Sequence, residues 1–250
     1  MQHIRVEHRG PVLVITLSRG KANAINAAML DELHDAVGRA RTDESVRALA
    51  IVSASAKIFS AGFDLGEVFG YGDEAMATVF GRLMDFCEEL RQLPKPVVAG
   101  VSGHAIAGGA IVALACDFRV LAEGDYGFAI NEVDLGLVLP RVAMGWLSEP
   151  FGPFARQVVL GGTPLSPARA HAVGLAAELA PADTVGERAV AMASTLARKP
   201  PQAYAAFKAA FNGPRLDEAS RAEAVAEFMR SWSGAESRAC RDALARSMRK

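Results

Sequence analysis

One stretch limits the fold more than any other: Val97 to Cys116. A run of β-type residues, Val97 to Val101, gives way to Gly103-His104-Ala105-Ile106-Ala107-Gly108-Gly109-Ala110-Ile111 and then to an apolar segment. Pro94-Lys95-Pro96 ends the preceding helix, because proline lacks a backbone N–H and pushes the residue before it toward extended geometry. A short buried strand is therefore expected at Val97 to Val101, followed by a loop with almost no side-chain chemistry, and the run from Ala110 to Cys116 reads as a buried helix. The Gly108-Gly109 pair fits two roles. It can be a tight turn that lets the helix pack closely, or the amino end of a helix whose free amides face an anion. A second small-residue run, Phe59-Ser60-Ala61-Gly62-Phe63-Asp64-Leu65, follows an earlier strand candidate, Ala48 to Ser53.

The same alternation recurs along the first half of the chain. Ile4, Val6 and His8 alternate with polar residues, Arg9-Gly10-Pro11 supplies a turn, and Val12 to Leu17 resumes strand character, predicting a hairpin. Asn26 can cap a helix carrying Leu30, Leu33, Val37 and Ala40 at helical spacing, and a helix from about Asp73 to Leu93 places Met76, Phe80, Leu83, Cys87 and Leu90 on one core stripe. Further strands are expected at Phe118 to Leu121 and Tyr126 to Ile130. Strands alternating with helices predict an α/β fold with right-handed crossovers. From Pro140 onward strand signals nearly vanish. A helical tail is expected, in which Phe207, Phe211, Phe228 and Trp232 either cap the core of their own subunit or pack on a neighbour.

Charge and composition narrow the function classes. Lys and Arg number 27 against 28 Asp and Glu, a net charge of −1, so no global field draws the chain to nucleic acid or to an anionic membrane. The longest apolar run, Ala105 to Ala115, is too short to span a bilayer, and Met1 to Arg9 lacks a secretory pattern, which together predict a cytoplasmic protein. Cys87, Cys116 and Cys240 are odd in number and lack metal-ligand spacing. No metal and no disulfide framework are expected, and Cys87 and Cys116 read as core thiols.

With these segments placed, the chain resembles the crotonase (enoyl-CoA hydratase/isomerase) superfamily over nearly all its length. Phe59-Ser60-Ala61-Gly62-Phe63-Asp64-Leu65 is similar to that family's first oxyanion-hole motif, and Gly108 falls at its second donor. The elements Cys116-Asp117-Phe118-Arg119 and Glu132-Val133-Asp134-Leu135-Gly136 follow in family order. The resemblance implies an α/β, ClpP/crotonase-like spiral of ββα units with a C-terminal helical region. It divides the chain into a catalytic, acyl-CoA-binding core over 1–195 and a helical region over 196–250 for oligomerisation and pocket closure. It also implies backbone N–H donors at Phe63 and Gly108 and an acidic catalytic residue at Glu132.

The departure from the family pattern is as informative as the match. Family hydratases carry two glutamates, and the first of those positions holds Ile111 here. Adding water needs one group to position the hydroxyl and another to handle the α-proton, whereas moving a double bond by one carbon needs a single base that takes a proton from C2 and returns it at C4. An apolar residue at that position, with a surviving glutamate after an asparagine as in Asn131-Glu132, is the pattern of the family's 3,2-enoyl-CoA isomerases. The expected function is thus a 3-enoyl-CoA isomerase in fatty acid β-oxidation. The alternatives are an enoyl-CoA hydratase or another crotonase reaction, or a non-catalytic acyl-CoA binder.

For the substrate, the resemblance implies contacts to coenzyme A from Ala22, Ala24, Ala61, Asp64 and Leu65, and places Ile111 in the acyl pocket. Coenzyme A enters as part of the substrate, so no separate cofactor is expected. Lys21 fits either a phosphate contact or a solvated loop charge, with Lys208 a weaker candidate cation. Asp64 reads as a loop-fixing residue and His104 as packing near the pocket. Asp134 and Glu67 read as surface or loop residues that could hold a water in a hydratase. The expected assembly is a homotrimer or a dimer of trimers.

Overall fold

A computed structural model describes residues 1–248 of the chain. The predicted hairpin is present: β1 (Ile4–Arg9) and β2 (Val12–Leu17) pair antiparallel across a turn with Gly10 at φ 58°. Helix α1 (Ala27–Thr42) begins where the Asn26 side chain accepts the Met29 N–H, and it buries Leu30, Leu33, Val37 and Ala40. Next come β3 (Ala48–Ser53), β4 (Ile58–Ser60), α2 (Leu65–Val68), α3 (Asp73–Arg91), β5 (Val97–Val101), β6 (His104–Ile106), α4 (Gly108–Leu114), β7 (Phe118–Ala122) and β8 (Phe128–Ala129). The second half contains α5 (Arg141–Ser148), α6 (Ala155–Gly161), α7 (Pro167–Ala172), β9 (Glu178–Ala180), α8 (Val185–Leu196), α9 (Pro201–Asn212), α10 (Glu218–Trp232) and α11 (Ala235–Met248).

The larger sheet runs β1-β2-β3-β5-β7-β9, parallel except for β1, and the smaller sheet is β4-β6-β8, all parallel. A parallel sheet covered on both faces needs strands that are apolar on both, which explains the unbroken runs VLVITL and VVAGV. Leu13, Ile15 and Leu17 point into the main core with α1 and α3, while Val12, Val14, Ala48, Ala50 and Val98 point to the other face and meet α8. Small residues on that face let α8 approach closely. A Cβ added at Gly100 would lie 2.9 Å from Ala189 Cβ.

Three departures from the sequence expectations matter for the site. Strands β4 and β6 arise inside the small-residue runs, and three-residue strands are too short to show a period of two. Helix α4 begins at Gly108 rather than at Ala110, so the glycine pair is its first turn. The second half is not purely a helical tail, because β9 returns to pair with β7 and α8 covers the larger sheet. Only two of the four aromatics cap the core of their own subunit. Phe228 and Trp232 are buried, with Phe228 stacked on Phe80 of α3 at 3.8 Å between ring centroids, whereas Phe207 and Phe211 on α9 are 70% and 82% exposed. Cys87 and Cys116 are buried core thiols, and burial pushes the Cys116 thiol up to about 12. Among the described residues, no helix is long and apolar enough to cross a membrane.

Lys208, a candidate cation for coenzyme A, is instead an internal brace. Its Nζ donates to Asp117 Oδ2 at 2.9 Å, to Leu90 O at 3.0 Å and to Lys95 O at 3.1 Å, and Asp117 Oδ2 also accepts from Tyr204 OH and Val97 N–H. With its side chain 5% exposed, Lys208 ties α9 to the start of β5 and has no donor left for a phosphate. Removing one partner of such a pair strands the other in a poorly solvated place. Lys208→Met is therefore expected to lose about 3 kcal/mol of stability, read from the urea midpoint, with Asp117→Asn in the same chain recovering part of that loss.

Candidate active site

The two small-residue loops meet because the smaller sheet sets β4 beside β6. Beyond β4, Ala61 N donates to Ala22 O at 3.0 Å, Ile25 N to Gly62 O at 2.7 Å, and Asp64 N to Ile25 O at 2.9 Å. These three bonds pin the loop on both sides of Phe63 and leave the Phe63 N–H without an acceptor among the described residues. Beyond β6, Ala107 N donates to Ala129 O, and the Ala107 backbone sits at φ 48°, ψ −125°, a conformation that costs a residue with a Cβ about 1–3 kcal/mol. Gly108 N is likewise without an acceptor, being the first amide of α4.

The glycine pair thus fills both roles that its sequence allowed, one glycine for each. A Cβ at Gly109 would lie 2.3 Å from Ser60 O, so Gly109 serves the close packing of α4 on β4. At Gly108 a Cβ would meet nothing nearer than Leu83 Cδ2 at 3.3 Å, and it would lie 3.8 Å from Phe63 N, so the two free amides lie close together on the wall of one cavity. Two free backbone N–H groups this close together can hold an oxygen that gains negative charge during a reaction.

Glu132 lines the same cavity. A 3₁₀ turn over Glu132–Leu135 carries it, and Gly136 closes that turn at φ 62°. Glycine is needed there twice over, for the positive φ and because a Cβ would lie 3.1 Å from Ser237 N of α11. Glu132 is 7% exposed and its Oε2 has no hydrogen-bond partner among the described residues. Burial pushes its carboxyl from the ordinary 4.5 up to about 7, opposed only by a hydrogen bond from its own backbone N–H. A buried carboxylate without partners carries a cost with no structural return, which makes Glu132 the candidate for a functional role in this cavity.

The cavity measures about 480 Å³. Phe63, Gly108, Ile111 and Glu132 all line it, with Ala61 and Leu65 at one side and Phe80, Phe228 and Trp232 at another, and α11 closes it from above. Ile111, 3% exposed, presents hydrocarbon one helical turn from the Gly108 amide. Asp134 reaches the same wall.

The remaining sequence candidates fall elsewhere. Lys21 is exposed, and Lys21, Ala22 and Ala24 do not line the cavity. The Ala22 and Ala24 carbonyls already accept from Ala61 N and Arg19 Nη1, which leaves the Ala22 and Ala24 amides as the unused groups of that loop. Asp64 fixes its loop as expected, capping α2 through Gly66 N and Glu67 N. Burial acts to raise its pKa, but the Arg19 guanidinium at 2.7 Å prevails and holds the carboxyl below the usual range. Glu67 is likewise engaged, accepting from Arg19, Asn26 and Tyr71. His104 is exposed, accepts the Gly127 N–H and stands edge-on to Tyr126, so it packs on the outer surface rather than in the cavity wall.

Sequence reasoning did not single out Arg19, Gly62, Ala107 or Arg241. Arg19 had a faint signal as one of two cations in a turn. The others owe their places to close approach of segments distant in sequence.

Known proteins resemble this chain in sequence and in fold. A family model described as enoyl-CoA hydratase/isomerase matches residues 7–236. A 2,3-dehydroadipyl-CoA hydratase of Escherichia coli is 32% identical over 84% of this chain and 82% of its own length, and a carnitinyl-CoA dehydratase of Salmonella typhi is 34% identical over 83% and 79%. The crystal structure of human mitochondrial delta3-delta2-enoyl-CoA isomerase superposes with a TM-score of 0.89 over 99% of this chain and 98% of that one, at 24% identity, a likeness of fold.

Proposed function

Because the chain belongs to the enoyl-CoA hydratase/isomerase family, we propose that it is the isomerase among that family's chemistries, converting a 3-enoyl-CoA to the conjugated 2-enoyl-CoA. One observation carries the reading. Glu132 is the cavity's buried, unpartnered carboxylate, and the wall position one turn from Gly108 is hydrocarbon, Ile111.

The thioester oxygen accepts hydrogen bonds from Phe63 N–H and Gly108 N–H. Glu132 Oε2 takes a proton from C2, the electron pair left there delocalises through C1 onto that oxygen and through the C3–C4 double bond onto C4, and the dienolate forms. The protonated Glu132 then delivers its proton to C4, and the double bond comes to lie between C2 and C3. No atom is gained or lost. A carboxyl that titrates near 7 suits both halves of this cycle, because at neutral pH it accepts and returns a proton with little driving force against it. The two amides supply the larger effect, since they meet charge that exists only after C2 is deprotonated.

Two observations favour a second reading, addition of water to a 2-enoyl-CoA: the Escherichia coli relative is named a hydratase, and Asp134 lines the cavity with Glu132. One assay separates the readings. Offered 3-enoyl and 2-enoyl thioesters in turn, the isomerase gives a product absorbing as a conjugated thioester from the first and leaves the second unhydrated. Formation of 3-hydroxyacyl-CoA from the 2-enoyl substrate at a comparable rate, lost in Asp134→Asn, would overturn it. The same proposal takes the chain to act as a homotrimer or dimer of trimers, supported by the solvent-facing Phe207 and Phe211 on α9.

A further inference from the structure

Most of the cavity wall is hydrocarbon, yet α11 brings a cation to it. Arg241 lines the cavity next to Trp232, and its guanidinium carbon lies 3.6 Å from the Trp232 ring centroid. Nη1 donates to Trp232 O at 2.9 Å and to Ser237 Oγ at 3.5 Å. These contacts fix the guanidinium plane. Nε and Nη2 have no acceptor among the described residues, and no carboxylate there lies within ion-pair distance. Neighbouring arginines differ: Arg238 gives Nε and Nη2 to Ser233 O, and Arg230 pairs with Glu223. An immobilised guanidinium with two N–H groups to spare matches the two oxygens of a carboxylate or phosphate. Burial, with Arg238 nearby, makes its charge less comfortable than in water and outweighs the favourable fields of Asp242 and Asp73, so a counter-anion at the free N–H groups still has something to offer.

We infer that Arg241 binds an oxyanion carried by the substrate, a carboxylate at the far end of the acyl group. Its company in the wall decides between the two possible sources of such oxygens. Phe80, Phe228 and Trp232 suit a hydrocarbon chain leading up to the guanidinium, and of the residues implied in holding coenzyme A only Ala61 and Leu65 line this cavity, whereas Lys21, Ala22, Ala24 and Asp64 lie outside it. The inference rests on the acyl-CoA reading above but not on which reaction follows.

Saturated thioesters bind without turning over, so calorimetric titration with two six-carbon acyl-CoAs, one ending in a methyl and one in a carboxylate, tests it directly. Wild type is expected to bind the carboxylate-ended thioester more tightly. Arg241→Gln should weaken that ligand about 10- to 100-fold and the methyl-ended one less than twofold, with Arg241→Lys, which keeps the charge, falling between. Equal losses for both thioesters in Arg241→Gln overturn the inference in favour of a nucleotide phosphate, and loss of the difference when 3′-dephospho-CoA thioesters are used identifies that phosphate. Unchanged affinity for both overturns any anion site. Failure of wild type to bind either thioester overturns the acyl-CoA reading itself. Because Arg241 also braces Trp232, thermal melts accompany each titration, and if Arg241→Gln unfolds the comparison is read from Arg241→Lys alone, where a preference for the carboxylate that is reduced below wild type's supports the inference, and an unchanged preference, or none in either protein, overturns it.

Discussion

Glu132→Gln is expected to lower turnover by about 10³-fold while leaving substrate binding nearly intact, and at the same time to make the protein more stable at pH 8. The first half follows from removing the group that moves the proton, an effect of about 10² to 10⁴ when a single residue acts as both base and acid. The second half follows from linkage. The Glu132 carboxyl titrates near 7 in the fold against an ordinary 4.5. Below pH 4.5 it is protonated whether the chain is folded or not, and it costs nothing. Between 4.5 and about 7 the folded protein holds a proton that the unfolded chain releases, so stability falls as pH rises. Above 7 the loss is complete, at roughly 3 kcal/mol. Glutamine keeps the shape and cannot ionise, so its melting temperature should exceed the wild type's at pH 8 and match it at pH 4. In wild type, kcat/KM should rise with pH to half its plateau near 7, because the base must be ionised to begin. A variant with full activity, or a melting difference that does not change between pH 4 and 8, would show that Glu132 is neither the base nor destabilised by its burial.

Gly62→Ala is expected to cost about 10² to 10³-fold in kcat, although residue 62 contributes no side chain to the reaction. Its Cβ would lie 2.9 Å from Gly108 N, 3.1 Å from Ile106 O and 3.2 Å from Ala107 Cβ, and the backbone there is at φ 82°. The methyl group would thus occupy the space beside the amide that the thioester oxygen must approach. Loss of one such donor has this magnitude in other oxyanion holes, and the positive φ adds a stability cost of about 1 kcal/mol. The discriminating measurement is the split between kcat and KM. A blocked oxyanion donor lowers kcat far more than it raises KM, because the hydrogen bond matters most once charge has developed. A change in KM alone, with kcat retained, would place the Gly108 amide outside the reaction.

The pairing of the two small-residue loops was implied by family resemblance, while the α/β class, the N-terminal hairpin and the α3 core stripe were legible from residue pattern. They depend on runs of five or more residues, where hydrophobic period and proline or glycine punctuation leave a clear trace. Legibility failed for the short elements. β4 and β6, three residues each, have no room to display a period, yet they bring Phe63 and Gly108 together. It failed also for the ends of the long side chains. Lys21 and Lys208 offered similar cations to coenzyme A in the sequence, but one proved exposed and the other buried against Asp117, because a lysine's surroundings are set by what packs over it.

The glycines show the division most clearly. By itself the sequence determined that residues 62, 108 and 109 carry no side chain, that residue 111 is hydrocarbon where the family resemblance implies a second carboxylate in hydratases, and that Glu132 follows Asn131. These are facts of residue type, and chemistry is limited by residue type wherever the chain happens to run. Only the tertiary structure decided which glycine gives an amide and which gives clearance, that Glu132 is buried with no partner for Oε2, and that Arg241 from the far end of the chain completes the cavity wall. The physical reason is that free amides, desolvated carboxyls and immobilised cations are properties of the space between segments, and that space exists only once strands and helices distant in sequence have closed around it.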